Sequence, residues 1–155
     1  PAPKAKKPLP EVDIVVLVAM ARGTNGQRHL LLRKRPGAGL LAGMWEFPGV
    51  EAPSSFHDAA NGLVRDLGLG SKARRIPGGE RRPGTGGSQK TALVGMSVVS
   101  HTFSHFKARY RPFLFHTLLS TTTDGEWIAE DGLNEIPLPV AQQKIAKAAL
   151  AEAAS

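Results

Sequence analysis

The chain has 155 residues, of which 41% are hydrophobic and 21% charged, proportions that suit one soluble globular domain with a single core. No apolar run approaches the ~18–20 residues that a membrane-spanning helix needs, and the first residues do not have the pattern of a signal peptide. The absence of cysteine excludes disulfides, thiolate-held metals and iron–sulfur clusters within this chain, and fits a reducing compartment. Twenty Lys and Arg stand against 13 acidic residues, a net charge of +7. That balance favours a phosphate-bearing partner through counterion release, although solubility alone accounts for it equally well.

Residues 1–11, opening PAPKAKKPLP, read as an extended, solvated interdomain linker. Residues 12–20 (VDIVVLVAM) are nearly continuously apolar and rich in β-branched side chains, which predicts a buried strand. Asn25-Gly26 signals a hairpin turn, and residues 29–35 (HLLLRKR) form the returning strand with a basic end at Arg33, Lys34 and Arg35. Residues 36–49 are too glycine-rich for a helix and too apolar for a free loop. They are expected to pack on the core and lead into a short strand over residues 46–51.

Apolar residues at Phe56, Ala59, Ala60, Leu63, Val64 and Leu67 share one helical face. Ser55 is the expected N-cap, with Asp58 three residues on, and Gly68 the expected stop. Residues 77–89 hold five glycines and two prolines, the composition of a mobile loop, with Arg81 and Arg82 in reach of a phosphate. Long strands are expected over residues 92–101 and 107–119, with Pro112 marking an edge or a bulge, and a short one over residues 125–129. A second helix over residues 138–150 follows two prolines, with Ala141, Ile145 and Ala148 on one face. The order predicts an α+β fold over residues 12–151, with 152–155 a tail.

Between the two long strands lies Val99-Ser100-His101-Thr102-Phe103-Ser104-His105-Phe106, which concentrates aromatic and imidazole side chains in a chain poor in both. Read without context, it is a strand-to-strand turn with a satisfied histidine, or a recognition tip. Zinc is a weak alternative, because strand residues four apart stand ~13 Å from each other. Trp45 reads as core or interdomain contact before base stacker.

The strand–loop–strand–helix order around Phe47-Pro48-Gly49 resembles the Nudix fold, a mixed β-sheet flanked by helices. That family's box reads G-x5-E-x7-R-E-U-x-E-E-x-G-U, where U is a bulky aliphatic residue. Here Gly68-Leu69 and Leu63 match. The Arg-Glu pair falls on Asn61-Gly62, the Glu-Glu pair falls on Arg65-Asp66, and the spacing back to Gly49 is two residues short. One carboxylate remains where metal-assisted pyrophosphate hydrolysis needs several oxygen ligands, so the box reads as degenerate and no metal is expected.

Leu32-Arg33-Lys34-Arg35-Pro36, residues 39–49 (GLLAGMWEFPG), His101-Thr102-Phe103-Ser104-His105, Glu126-Trp127 and the closing helix resemble the C-terminal domain of MutY-type adenine DNA glycosylases. The resemblance implies a domain that reads 8-oxoguanine opposite a mispaired adenine in base-excision repair. Its partners would be double-stranded DNA carrying that mispair and an N-terminal helix–hairpin–helix domain. That second domain would hold an iron–sulfur cluster and the glycosidase chemistry. This chain would carry no cofactor, cleave nothing alone, and work inside the cell with genomic DNA.

In 8-oxoguanine N7 carries a hydrogen where guanine has an acceptor. A serine hydroxyl both accepts and donates, so Ser104 fits as the reader. Phe103 serves as loop anchor or wedge, and His101 and His105 contact phosphate or brace the loop. Arg33, Lys34, Arg35, Lys107 and Arg109 are the candidate phosphate contacts. Two other functions remain open: an active Nudix-type nucleotide pyrophosphohydrolase, and a protein-interaction platform docking through residues 77–89.

Overall fold

The computed structural model describes residues 8–39, 41–69 and 93–154. The expected loop at 77–89, with Arg81 and Arg82, and most of the expected linker lie outside them.

The organising element is β1 (Glu11–Arg22), which pairs in parallel with β7 (Lys107–His116) from Glu11↔Lys107 to Met20↔His116. On its other side, β1 pairs antiparallel with β2 (Arg28–Lys34) near its end and with β4 (Gly49–Glu51) near its start. β2 also carries β3 (Trp45–Glu46) and β8 (Glu126–Ala129). β7 carries β5 (Val94–Gly95) and β6 (Val99–Thr102). The described residues therefore form one mixed, eight-stranded sheet.

The near-continuous apolar run of β1 follows from helices covering both faces of the sheet. Val16, Val18 and Met20 face a core shared with α2 (Val140–Ala154), and Val15, Leu17 and Ala19 face α1 (Phe56–Asp66). α1 ends as its sequence requires. Gly68 is left-handed at φ 73°, its N–H bonds the Arg65 carbonyl, and the Leu69 N–H bonds that of Val64. This is a Schellman closure, with Leu69 buried beneath it. Gly125 is as constrained: φ is 90° and a Cβ would stand 2.9 Å from the Leu32 carbonyl oxygen.

Several expectations need correction. Ser55 adopts a left-handed backbone (φ 54°) and makes no side-chain cap; its carbonyl alone bonds the Ala59 N–H. A serine caps from the extended region, which aims its oxygen at the free amides. The single strand expected over 92–101 is two. Between Gly95↔Phe113 and Val99↔Tyr110, residues 96–98 face residues 111–112. The extra residue is a bulge opposite Pro112, which has no N–H for a ladder, and the Met96 N–H still reaches the Pro112 carbonyl.

The strand expected over 46–51 likewise breaks at Phe47-Pro48 into β3 and β4, and β7 stops at His116, short of residue 119. α2 buries Ala141, Gln142, Ile145, Ala146 and Ala149, whereas Ala148 is exposed. The buried arc turns toward Gln142 because its Oε1 accepts the Phe47 N–H at 3.0 Å. α2 also runs to Ala154, past the expected helix end at residue 150, so residues 152–154 are helical. A 3-10 turn at Glu130–Glu135, unforeseen in the sequence, joins β8 to the residues before α2.

Candidate nucleic-acid interface

β6 and β7 form a hairpin whose register pairs Thr102 with Lys107 and His101 with Ala108. The Phe103 N–H donates to the Phe106 carbonyl at 2.7 Å, leaving Ser104 and His105 outermost and exposed. The Phe103 and Phe106 rings stack at 4.8 Å, and His101 meets Phe103 edge-on at 4.6 Å. Both phenylalanines pack against the α2-side core, so the tip is anchored by its flanking rings. Among the described residues, Ser104 and His105 have no hydrogen-bond partner. Four of the site residues chosen from sequence (His101, Phe103, Ser104 and His105) therefore meet at one hairpin end.

Next to the tip, the α1-side face of the sheet carries a lattice of ion pairs. Arg109 grips Asp13 through Nε (3.1 Å) and Nη2 (3.0 Å) and reaches Glu11 at 2.9 Å. Arg111 Nε adds a 2.8 Å bond to Asp13, and its Cζ lies 4.1 Å over the Phe56 ring. The hydrogen bond from Arg109, and then that from Arg111, hold the Asp13 carboxyl below the usual carboxylate range. The Asp13 bond in turn raises the Arg109 guanidinium. Lys107 stands at the hairpin base with its N–H on the Pro10 carbonyl at 2.8 Å. No carboxylate pairs with its ammonium among the described residues.

Arg33 and Arg35 converge on Glu46, at 3.1 and 2.7 Å. Arg33 also lies 3.5 Å from Asp124. Lys34, between them in sequence, is exposed and without an ion pair among the described residues. Of the five expected phosphate contacts, the three arginines are thus bound to carboxylates of this chain, while the two lysines have no carboxylate partner among the described residues. Asp13 is the one charged residue in the apolar run of residues 12–20. Its partners lie 96 and 98 residues away.

α1 presents Asn61, Arg65 and Asp66 to solvent. Among the described residues no group of three or more His, Asp or Glu is placed to hold a metal ion. Glu46 is held by two arginines, and Arg65 brings positive charge to the helix. These side chains do not fit the oxygen-rich shell that Mg²⁺ requires. The geometry does not offer His101 and His105 a shared ion either, since one ring packs on Phe103 and the other stands at the tip.

The model of the NUDIX domain matches residues 18–148. The chain belongs to the NUDIX domain family. Among curated proteins, this NUDIX domain is similar to rat adenine DNA glycosylase, 28% identical over 150 residues, covering 94% of the chain and 26% of the relative. Human adenine DNA glycosylase is 27% identical, over 94% of the chain and 25% of its own length. The NUDIX domain thus spans about a quarter of the length of these relatives. Among solved structures, it superposes on the C-terminal domain of mouse MUTYH, in complex with human PCNA, with a TM-score of 0.64. The two are 23% identical, with coverage of 93% of this chain and 90% of that one. A MutT protein from Methanosarcina mazei shares the fold at a TM-score of 0.61 and 15% identity, covering 97% of this chain and 100% of that one.

Proposed function

We propose that this chain is the lesion-reading domain of an adenine DNA glycosylase of base-excision repair, inspecting 8-oxoguanine opposite the mispaired adenine. The observation that carries it is the anchored β6–β7 tip, which turns Ser104 and His105 outward on a chain similar to adenine DNA glycosylases over 94% of its length. Ser104 Oγ accepts the N7–H of 8-oxoguanine, a hydrogen guanine lacks, and its hydroxyl or backbone N–H serves the neighbouring oxygens. Lys107 and Lys34 contact phosphates. Arg33, Arg35 and Arg109, held by carboxylates, shape the surface and add to its field. The glycosidic bond is cut elsewhere, by a helix–hairpin–helix domain bearing an iron–sulfur cluster, in a protein that works within the cell on genomic DNA.

Fluorescence anisotropy with matched duplexes, one carrying 8-oxoguanine:adenine and one guanine:adenine, tests the reading. Ser104→Ala is expected to reduce the preference for the lesion, with a ceiling of about 1–3 kcal/mol for one lost base contact. Equal changes for both duplexes would exclude Ser104 as the reader. Lys107→Met should weaken both duplexes alike and lower the salt dependence by about one counterion. Mg²⁺-dependent turnover of a nucleoside triphosphate such as 8-oxo-dGTP by the unaltered chain would overturn the proposal in favour of a hydrolase.

A further inference from the structure

A groove of about 790 Å³ runs between the 3-10 turn at Glu130–Glu135 and the outer side of α2, remote in sequence from the tip. Its apolar lining includes Leu133, Ile136, Leu138, Val140 and Leu150, with Val140 57% exposed. Its charge is one-sided. Glu130, the lining carboxylate, is gripped by Arg28 through two 2.9 Å bonds, while a third Arg28 bond fastens the Leu150 carbonyl at 2.9 Å. Arg28 thereby cancels the charge of Glu130 and ties the turn to α2, so both walls are held in place. Lys144 and Lys147 line the α2 wall and have no ion pair among the described residues. Asp131 and Glu135, the other carboxylates of the turn, are exposed and outside the lining.

From this arrangement we infer that the groove docks an acidic amphipathic helix of a protein partner, its apolar side chains on the leucine and isoleucine floor and its carboxylates against Lys144 and Lys147. No strand contributes to the lining, so a strand-addition mode has no unpaired edge to use. A helix needs only an apolar trough and a charged rim. Cationic rim residues select among helices by sign, because a basic helix would meet two ammonium groups that have no ion pair among the described residues.

The test uses the whole chain and a labelled helical peptide with leucines at i, i+4 and i+7 flanked by glutamates, beside a counterpart with lysines replacing the glutamates. Saturable anisotropy is expected for the acidic peptide only. In the double variant Lys144→Glu/Lys147→Glu, affinity for the acidic peptide is expected to fall about tenfold or more and that for the basic peptide to rise. All substituted positions are exposed, and circular dichroism checks the fold. Val140→Asp should weaken the acidic peptide independently, while Ser104→Ala should leave it unchanged. The inference fails if the acidic peptide does not saturate, if both peptides bind alike, or if the double variant binds as the unaltered chain does. Sedimentation showing self-association abolished by the double variant would assign the groove to a second copy of this chain and overturn it as well.

Discussion

The two faces of the sheet end differently at the β6–β7 hairpin. On the α2 side, apolar packing continues from Val16 and Ile145 through Tyr110 to Phe103 and Phe106, close under the tip. On the α1 side it gives way to ion pairs, where Glu11, Asp13, Arg109 and Arg111 satisfy one another. One face fixes the hairpin in position and the other consumes the strand's strongest charges internally. Near the hairpin, the basic side chain with no carboxylate partner among the described residues is then Lys107, beside the tip itself. Abundance of basic residues in the sequence is therefore a poor guide to which of them pair with carboxylates of the same chain.

That contrast can be broken from either side. The largest effect is expected from Ile145→Ala, which opens a cavity under the α2 face where Ile145 is fully buried. A loss of about 2–5 kcal/mol in urea unfolding is expected. Next comes Phe103→Ala, which removes the stack on Phe106 and the edge contact to His101. About 1–3 kcal/mol should be lost, with faster amide exchange at residues 103–106. An unchanged protein would show that the tip is not held by its rings.

The smallest effect belongs to the charged face, and it depends on pH. The folded pKa of Asp13 lies below its unfolded value of about 3.9, so its pairing stabilises the fold above that pH and is lost as pH falls through the folded value. Asp13→Asn should be less stable than the unaltered chain near neutrality, with the gap in melting temperature closing below about pH 4. A gap that persists in acid would assign the loss to packing and not to the ion pairs.

Local rules carried much of the fold. Apolar patterning located β1, β2, both helices and the hairpin flanks, because a helix buried on one face writes a period of 3.6 and a strand buried on both faces a near-continuous apolar run. Gly68 announced the end of α1, because a Schellman closure needs a left-handed residue there. The tip residues His101, Phe103, Ser104 and His105 were also legible, since a two-strand hairpin brings near neighbours in sequence together. The local rules failed where a partner came from far away. They also failed at Ser55, chosen on residue type and on Asp58 three residues on, because its left-handed backbone leaves the hydroxyl without a cap bond.

What the sequence determined by itself, then, was the periodic pattern of strands and helices, the loss of carboxylates from α1, and the position of the tip. Tertiary structure decided which charges remain available. Asp13 finds Arg109 across 96 residues and Arg28 finds Glu130 across 102. Neither pairing has a local signature, because the contact arises only when parallel pairing of β1 with β7, or the packing of the 3-10 turn against β8 and β2, closes the intervening chain. The same closure rotated α2 toward Gln142 and left Lys144 and Lys147 facing an open groove.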